Sequence, residues 1–313
     1  MERKATMDRV VKPRHPPGML CAVDVPWKED WSLDEGVFRR HVRHLISNGF
    51  KWLYVMGTAG EGYAVSDSQF KRVVDVFVEE MSGPGLKPQV GVISLSTTQV
   101  AERIRYARSR GVRSFQVSLP SWGAVSDREM LAFFRTVCGP FPDCDFLHYN
   151  LGRTKRVLTG EDYRPIIESV PNLVATKQST YDFGLIRGWV QEAPELQHFF
   201  LQHDYASGCL YGECSLLCAL AGLFPKLTHD YYKAGQEKDL KRAFEVQSQF
   251  MDIGESLFGH VKTTHMDGAY DKFVAWLIDP SFPRRLLPPY EAFPDTDAET
   301  GRRNYEARYR HIG

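Results

Sequence analysis

The chain has 313 residues, 43% of them hydrophobic, with 39 basic and 39 acidic side chains and a formal net charge of zero. That length supports one large core or two smaller ones. The charge balance excludes the asymmetry that nucleic acid or an acidic membrane surface selects, and no apolar run approaches the ~20 residues of a membrane span.

Met1 to Pro17 is basic and polar without an apolar stretch, and is expected to be a flexible arm rather than a signal peptide. The six cysteines, at 21, 138, 144, 209, 214 and 218, include no CxxC pair. Cys214 and Cys218 have helical spacing, but no neighbouring His or Cys completes a zinc set. They read as reduced core cysteines of a cytoplasmic protein.

Residues 18–25 form a first apolar strand. Ser32 to Glu35 has the pattern of a capping box, and the helix behind it places Val37, Phe38, His41, Val42, Leu45 and Ile46 on one face. Trp52 to Met56 is the second strand and runs into Gly57-Thr58-Ala59-Gly60-Glu61-Gly62. Ser66 to Gln69 caps a second helix. Gln89 to Ile93 is a third strand, with a helix behind it that ends at Gly111. Val112 to Leu119 is the fourth strand, stopped by Pro120, and Ser126 to Glu129 caps the next helix. Asp145 to Tyr149 is the fifth strand, and Thr159 to Asp162 opens the helix after it. Leu173-Val174-Ala175 leads the sixth strand into Lys177. Gln197 to Gln202 is the seventh strand, and Cys214 to Ala221 the eighth, behind a weakly marked helix over 204–212. Helical spacing follows from Leu240 to Met251 and from Tyr270 to Leu277, before an end rich in proline and charge.

Strands and capped helices thus alternate about every 30 residues, close to eight times, which is the pattern of a parallel α/β protein. Eight units predict a closed (β/α)8 barrel over 18–236, with a helical extension over 237–313. The fallback is an open doubly wound sheet. It fits less well, because the glycine loop is not G-x-G-x-x-G and there is no P-loop.

In a barrel, functional side chains gather at the C-terminal ends of the strands. Three polar stations fall there: Gly57-Thr58, Tyr149-Asn150 and Lys177. Each has a structural alternative: a plain turn, a packed aromatic, a lysine snorkelling at a strand end. A lysine buried for chemistry should have its pKa lowered by desolvation, freeing its lone pair to attack a carbonyl.

With these stations in place, the chain resembles the dihydrodipicolinate synthase / N-acetylneuraminate lyase family of class I aldolases. Its G-[T/S]-T-G-E motif appears as Gly57-Thr58-Ala59-Gly60-Glu61. Its Y-N-x-P-x-R-T motif appears as Tyr149-Asn150-Leu151-Gly152-Arg153-Thr154, one residue shorter and without the proline. Its lysine strand appears as Val174 to Thr180. The resemblance spans roughly residues 18–290 and implies a (β/α)8 barrel with C-terminal helices, assembled as a homo-oligomer, a tetramer or dimer.

It also implies Lys177 as the imine-forming nucleophile, Tyr149 as proton shuttle and Thr58 as the hydroxyl that positions it. Gly57, Ala59, Gly60 and Glu61 form the implied loop that holds the substrate carboxylate. No cofactor or metal is implied, and no convergent His, Asp and Glu set falls at the strand ends. Arg153 reads either as a clamp for a distal group of the substrate or as a surface arginine. His203 reads either as an acid/base group lining the pocket or as a structural histidine. Trp122 and His148 stay open in the same way.

Three departures from the family pattern stand out. Ala59 replaces a hydroxyl residue, Gln178 replaces the usual acid after the lysine, and Ser121-Trp122 replaces the aromatic pair that carries a relay tyrosine. The expected function is a Schiff-base lyase, an aldolase or dehydratase, acting on pyruvate or another 2-oxo acid, but not the lysine-pathway synthase. The alternative is a non-catalytic barrel that binds a small carboxylic acid.

Overall fold

In the computed structural model, which describes residues 11–312, eight parallel strands close into a barrel in sequence order. The strands are β1 (Met19–Ala22), β2 (Trp52–Val55), β3 (Lys87–Gly91), β4 (Ser114–Val117), β5 (Asp145–Tyr149), β6 (Leu173–Gln178), β7 (Gln197–Leu201) and β8 (Ser215–Leu217). The intervening helices are α1 (Glu35–Ser47), α2 (Asp67–Glu80), α3 (Thr97–Ser109), α4 (Asp127–Cys138), α5 (Gly160–Ser169), α6 (Phe183–Glu192) and α7 (Tyr205–Cys209). After β8 come α8 (Pro225–Gln236), α9 (Leu240–Phe258), α10 (Asp267–Ile278) and α11 (Asp295–Arg308).

Strand residues alternate between two cores. Leu53 and Val55 face outward into the main core between sheet and helices, whereas Trp52 and Tyr54 point into the barrel with Leu20, Leu147, Ala175, Phe199 and Leu217. This two-sided burial is why the strands read as nearly continuous apolar runs.

Most expected caps are present. Ser66, Ser126 and Thr159 each complete a reciprocal box with the residue three positions on. Ser32 does not. Its hydroxyl donates to Asp30 Oδ1 at 2.6 Å, and Asp34 caps α1 by accepting from the Val37 amide at 3.1 Å. An isolated antiparallel bridge between Trp27 and Leu33 keeps the chain extended past Ser32, so the helix starts later. Helix α11 was not expected. It buries only Ala298 and Gly301, so its sequence carries no apolar stripe.

Of the expected arm, residues 1–10 lie outside the described residues. Residues 11–17 run beneath the barrel. Arg14 donates to the carbonyls of Ile167, Val170 and Leu173 at 2.7–3.2 Å. His15 packs on Trp52 with ring centroids 4.3 Å apart. The six cysteines are free and buried. No helix among the described residues is long and apolar enough to cross a membrane.

Candidate active site

Parallel pairing sets Tyr149 of β5 opposite Lys177 of β6. Both side chains therefore leave the sheet on its inner face at the C-terminal end. Tyr54 comes from β2, across the barrel. Lys177 Nζ donates a 2.9 Å hydrogen bond to the Tyr54 hydroxyl and lies 3.9 Å from the centroid of the Tyr149 ring. Lys177, Tyr149 and Tyr54 are all buried, so the amine is enclosed by one phenol oxygen and one aromatic face.

Burial pulls the lysine pKa down, but Tyr149, the hydrogen-bonded Tyr54 and Asp271 outweigh it, and the net displacement is upward. The expectation that desolvation would free the amine is overturned. The lysine faces the Tyr54 hydroxyl, the Tyr149 ring and the charge of Asp271 instead of a purely apolar wall. Tyr54 is itself pushed up to about 12, chiefly by burial, and therefore stays protonated at neutral pH. Burial, with repulsion from Asp24 and Asp267, holds the Asp271 carboxyl well above its usual range.

The backbone behind these side chains is fixed by a polar network. The Asn150 amide donates to the Lys177 carbonyl at 3.1 Å. The Asn150 side chain donates to Gln178 Oε1 at 2.9 Å and to the Leu158 carbonyl at 2.8 Å, and accepts from the Leu158 amide. Gln178, where the family motif has an acid, thus ties the ends of β5 and β6 together.

The loop after β2 doubles back on itself. The amides of Glu61 and Gly62 donate to the carbonyls of Thr58 and Gly57, each at 3.1 Å. That leaves the amides of Thr58, Ala59 and Gly60 as the loop's candidates for a carboxylate. Met56 and Glu61 have φ of 63° and 54°, a conformation that costs non-glycine residues of order 1–3 kcal/mol and clusters at functional sites. A Cβ on Gly62 would stand 2.1 Å from the Met56 carbonyl oxygen, and one on Gly57 2.4 Å from the Tyr54 ring. Glycine at 57 is thus what lets Tyr54 lie against the loop. Arg103, buried in α3, holds the loop's far end by donating to the carbonyls of Gly62 and Ile93 at 2.8 and 2.5 Å.

Glu61 belongs to this loop, but its carboxylate does not reach a substrate position. It is fully buried, accepts from Trp27 Nε1 at 2.9 Å and from the Leu287 amide at 2.6 Å, and pairs with Lys272 of α10.

At the same end of the barrel lies a cavity of ≈ 330 Å³ whose wall includes Thr58, Tyr63, Ser118, Leu151, Arg153 and Tyr290. Arg153 lies at its edge in a bidentate pair with Asp267, at 3.0 and 2.6 Å. A distal substrate group would have to displace that carboxylate. His203 is apart from this wall, packed on Tyr181 at 4.8 Å between centroids and 3.4 Å from Ser179 Oγ. Burial lowers its pKa. Trp122 is exposed on the loop after β4. His148 faces away from the barrel interior, bonded to the Tyr163 hydroxyl at 2.7 Å and pushed down to about 3 by burial. Among the described residues, no three His, Cys, Asp or Glu side chains gather as a metal site.

The sequence motifs point to Lys177, Tyr149, Thr58 and Arg153, but not to Tyr54, Asp267 or Asp271. Tyr54 had one signal, a phenol on the inward parity of a barrel strand. The two aspartates lie outside any motif.

Residues 15–269 match the sequence profile of the dihydrodipicolinate synthetase family. The chain belongs to that family. A curated relative is the 4-hydroxy-tetrahydrodipicolinate synthase of Methanopyrus kandleri, 23% identical over 247 residues, which cover 77% of this chain and 81% of the relative. A solved family structure, a prophage protein from E. coli K12 in complex with pyruvate, superposes with a TM-score of 0.84 at 16% identity, covering 95% of this chain and 99% of the other. A catalytic lysine mutant of the Ruminococcus gnavus sialic acid aldolase superposes with a TM-score of 0.81 at 18% identity, covering 92% of this chain and 94% of the other. At these identities the structural likeness establishes the fold. This family member therefore has the lyase scaffold shared by synthases and aldolases, with a site furnished differently from the family motifs at Ala59, Gly152 and Gln178.

Proposed function

We propose that this protein is a class I lyase, an aldolase or dehydratase, that forms a Schiff base between Lys177 and a 2-oxo acid. One observation carries the reading: a single buried lysine amine at the C-terminal end of β6, between two tyrosines, at the barrel end where Thr58 and Arg153 line a cavity. Attack on the 2-oxo carbon and loss of water give an iminium, a cationic electron sink that eases deprotonation or C–C cleavage at the neighbouring carbon. The Tyr149 ring face favours that cation. Its hydroxyl is assigned the proton transfers at the substrate beyond the imine, in the cleavage or dehydration step, with Thr58 positioning it. The loop amides from Thr58 to Gly60 hold the carboxylate. Pyruvate, the ligand of the E. coli relative, is the first acid to try.

The departures in the loops favour a sugar-acid or other 2-oxo acid over the substrate of the lysine-pathway synthase. Assembly as a homo-oligomer in the cytoplasm is part of the proposal. Six buried free thiols fit a reducing compartment.

Turnover across a panel of 2-oxo acids, alone and with aldehyde partners, tests the reading. Lys177→Ala is expected to abolish activity, and full activity in that variant would overturn it. The second reading, a barrel that binds a small acid without turnover, is favoured by Ala59, by Gly152 and by Ser121-Trp122 standing where the family motif carries its relay tyrosine. It predicts carboxylate binding with no turnover of any panel member.

A further inference from the structure

We infer that Tyr54, from β2, is a catalytic residue of this site: the phenol that carries protons to and from the Lys177 nitrogen as the imine forms. The inference rests on the imine reading proposed above.

The geometry separates the two tyrosines. Tyr149 meets the lysine nitrogen with its ring face, 3.9 Å from the centroid. The hydrogen bond of that nitrogen goes to the Tyr54 oxygen, at 2.9 Å. Tyr54 is 2% exposed, so bulk water does not compete for the contact. Its ring is seated against Gly57, where a Cβ would stand only 2.4 Å from it. The loop assigned to the carboxylate and the hydroxyl that touches the nucleophile are therefore one packed unit. The inference places the 2-oxo carbon between them.

The proton balance closes with this one phenol. The ammonium first releases one proton to bulk water, before the substrate fills the site, and Lys177 then attacks as the free amine. The C2–N bond forms and the C2–O π bond breaks. The proton shed by nitrogen passes to the Tyr54 oxygen while the phenol's own proton passes to the carbinolamine oxygen, which is geminal to the nitrogen that Tyr54 already touches. The C2–O bond then breaks as the nitrogen lone pair forms C=N. Tyr54 protonates the departing hydroxyl, which leaves as water, and becomes a phenolate. The phenolate takes a proton from C3 as the iminium becomes the enamine, and the phenol is restored. The net change is amine plus ketone to enamine plus water. Tyr149 keeps its ring over the cation and leaves its hydroxyl to the rest of the substrate.

The test is the single-turnover rate of imine formation, read by borohydride quenching and intact mass after mixing with pyruvate and then with other 2-oxo acids. Tyr54→Phe keeps the ring and removes the oxygen. It is expected to slow adduct formation by about 10²–10⁴-fold, with KM changed far less than kcat in a variant that circular dichroism shows to be folded. Adduct formation by Tyr54→Phe at the wild-type rate would overturn the inference while leaving the imine reading intact. No adduct on wild-type protein with any acid would overturn both. A fluorinated tyrosine at position 54 preserves the fold and alters only the phenol's acidity. It should change the rate, and an unchanged rate would likewise count against Tyr54.

Discussion

Lys177 is held by oxygens and π electrons, and that decides its resting state. Burial alone would discharge it, but Tyr149, Tyr54 and Asp271 shift the balance, so the ammonium is the stored form at neutral pH. The linkage sign follows. A lysine whose folded pKa is raised adds stability below its unfolded pKa, and that contribution is lost only as pH climbs through the folded value. For the chemistry the same shift acts in the other direction, because the free amine is the minor species. Imine formation under fixed 2-oxo acid should therefore accelerate from pH 6 to pH 9, by up to about tenfold per unit if deprotonation alone limits it. Quench-flow trapping across that range checks it. A rate that is flat or falls with pH would show that the amine is already free.

At the scale of elements, the loop after β2 owes its shape to the C-terminal helices. Helix α10 lies over it: a Cβ on Gly268 would stand 3.6 Å from Glu61 Cγ. Lys272, one turn beyond Gly268 on the same helix's buried face, pairs with Glu61 and donates to the Arg285 carbonyl at 2.6 Å. Both charged side chains are wholly buried, so removing one strands the other. Lys272→Met should cost about 3–5 kcal/mol, and Lys272→Met combined with Glu61→Gln should recover most of it. Urea unfolding measures both. A cost under ~1 kcal/mol for the single change would mean that the pair is not what pins the loop.

That clamp also marks the limit of what the sequence reveals. The strands are legible because each is an apolar run bounded by turn residues, and Lys177 is legible because it interrupts one. Glu61 is legible as part of a loop motif, but its partners are not: Lys272 and Leu287 lie far along the chain. Tyr54 is hidden for the same reason. In an apolar strand a tyrosine looks like core, and the nitrogen that gives its hydroxyl a role is 123 residues away. Helix α11 is hidden because its fully buried residues are the small Ala298 and Gly301, with Tyr305 packed edge-on against Phe224, and these make no apolar stripe. The Ser32 cap is misread because the deciding contact, Trp27 with Leu33, is a tertiary one.

At the scale of the whole molecule, closure of the barrel makes the site. β2 and β6 are not neighbours in the sheet, and only a closed ring of strands brings Tyr54 and Lys177 to one point. The eight-strand ring gives an interior just wide enough for side chains to meet across it. The C-terminal helices then roof the mouth, with Asp267 closing on Arg153 and Asp271 lying near the lysine. The most direct test of this account is a peptide map of the full-length protein after incubation with 2-oxo acids under borohydride. The account predicts one stable mass gain, on the peptide that contains Lys177, absent from Lys177→Ala. A folded protein that gives no adduct with any acid, or one whose adduct lies on another lysine, would contradict it.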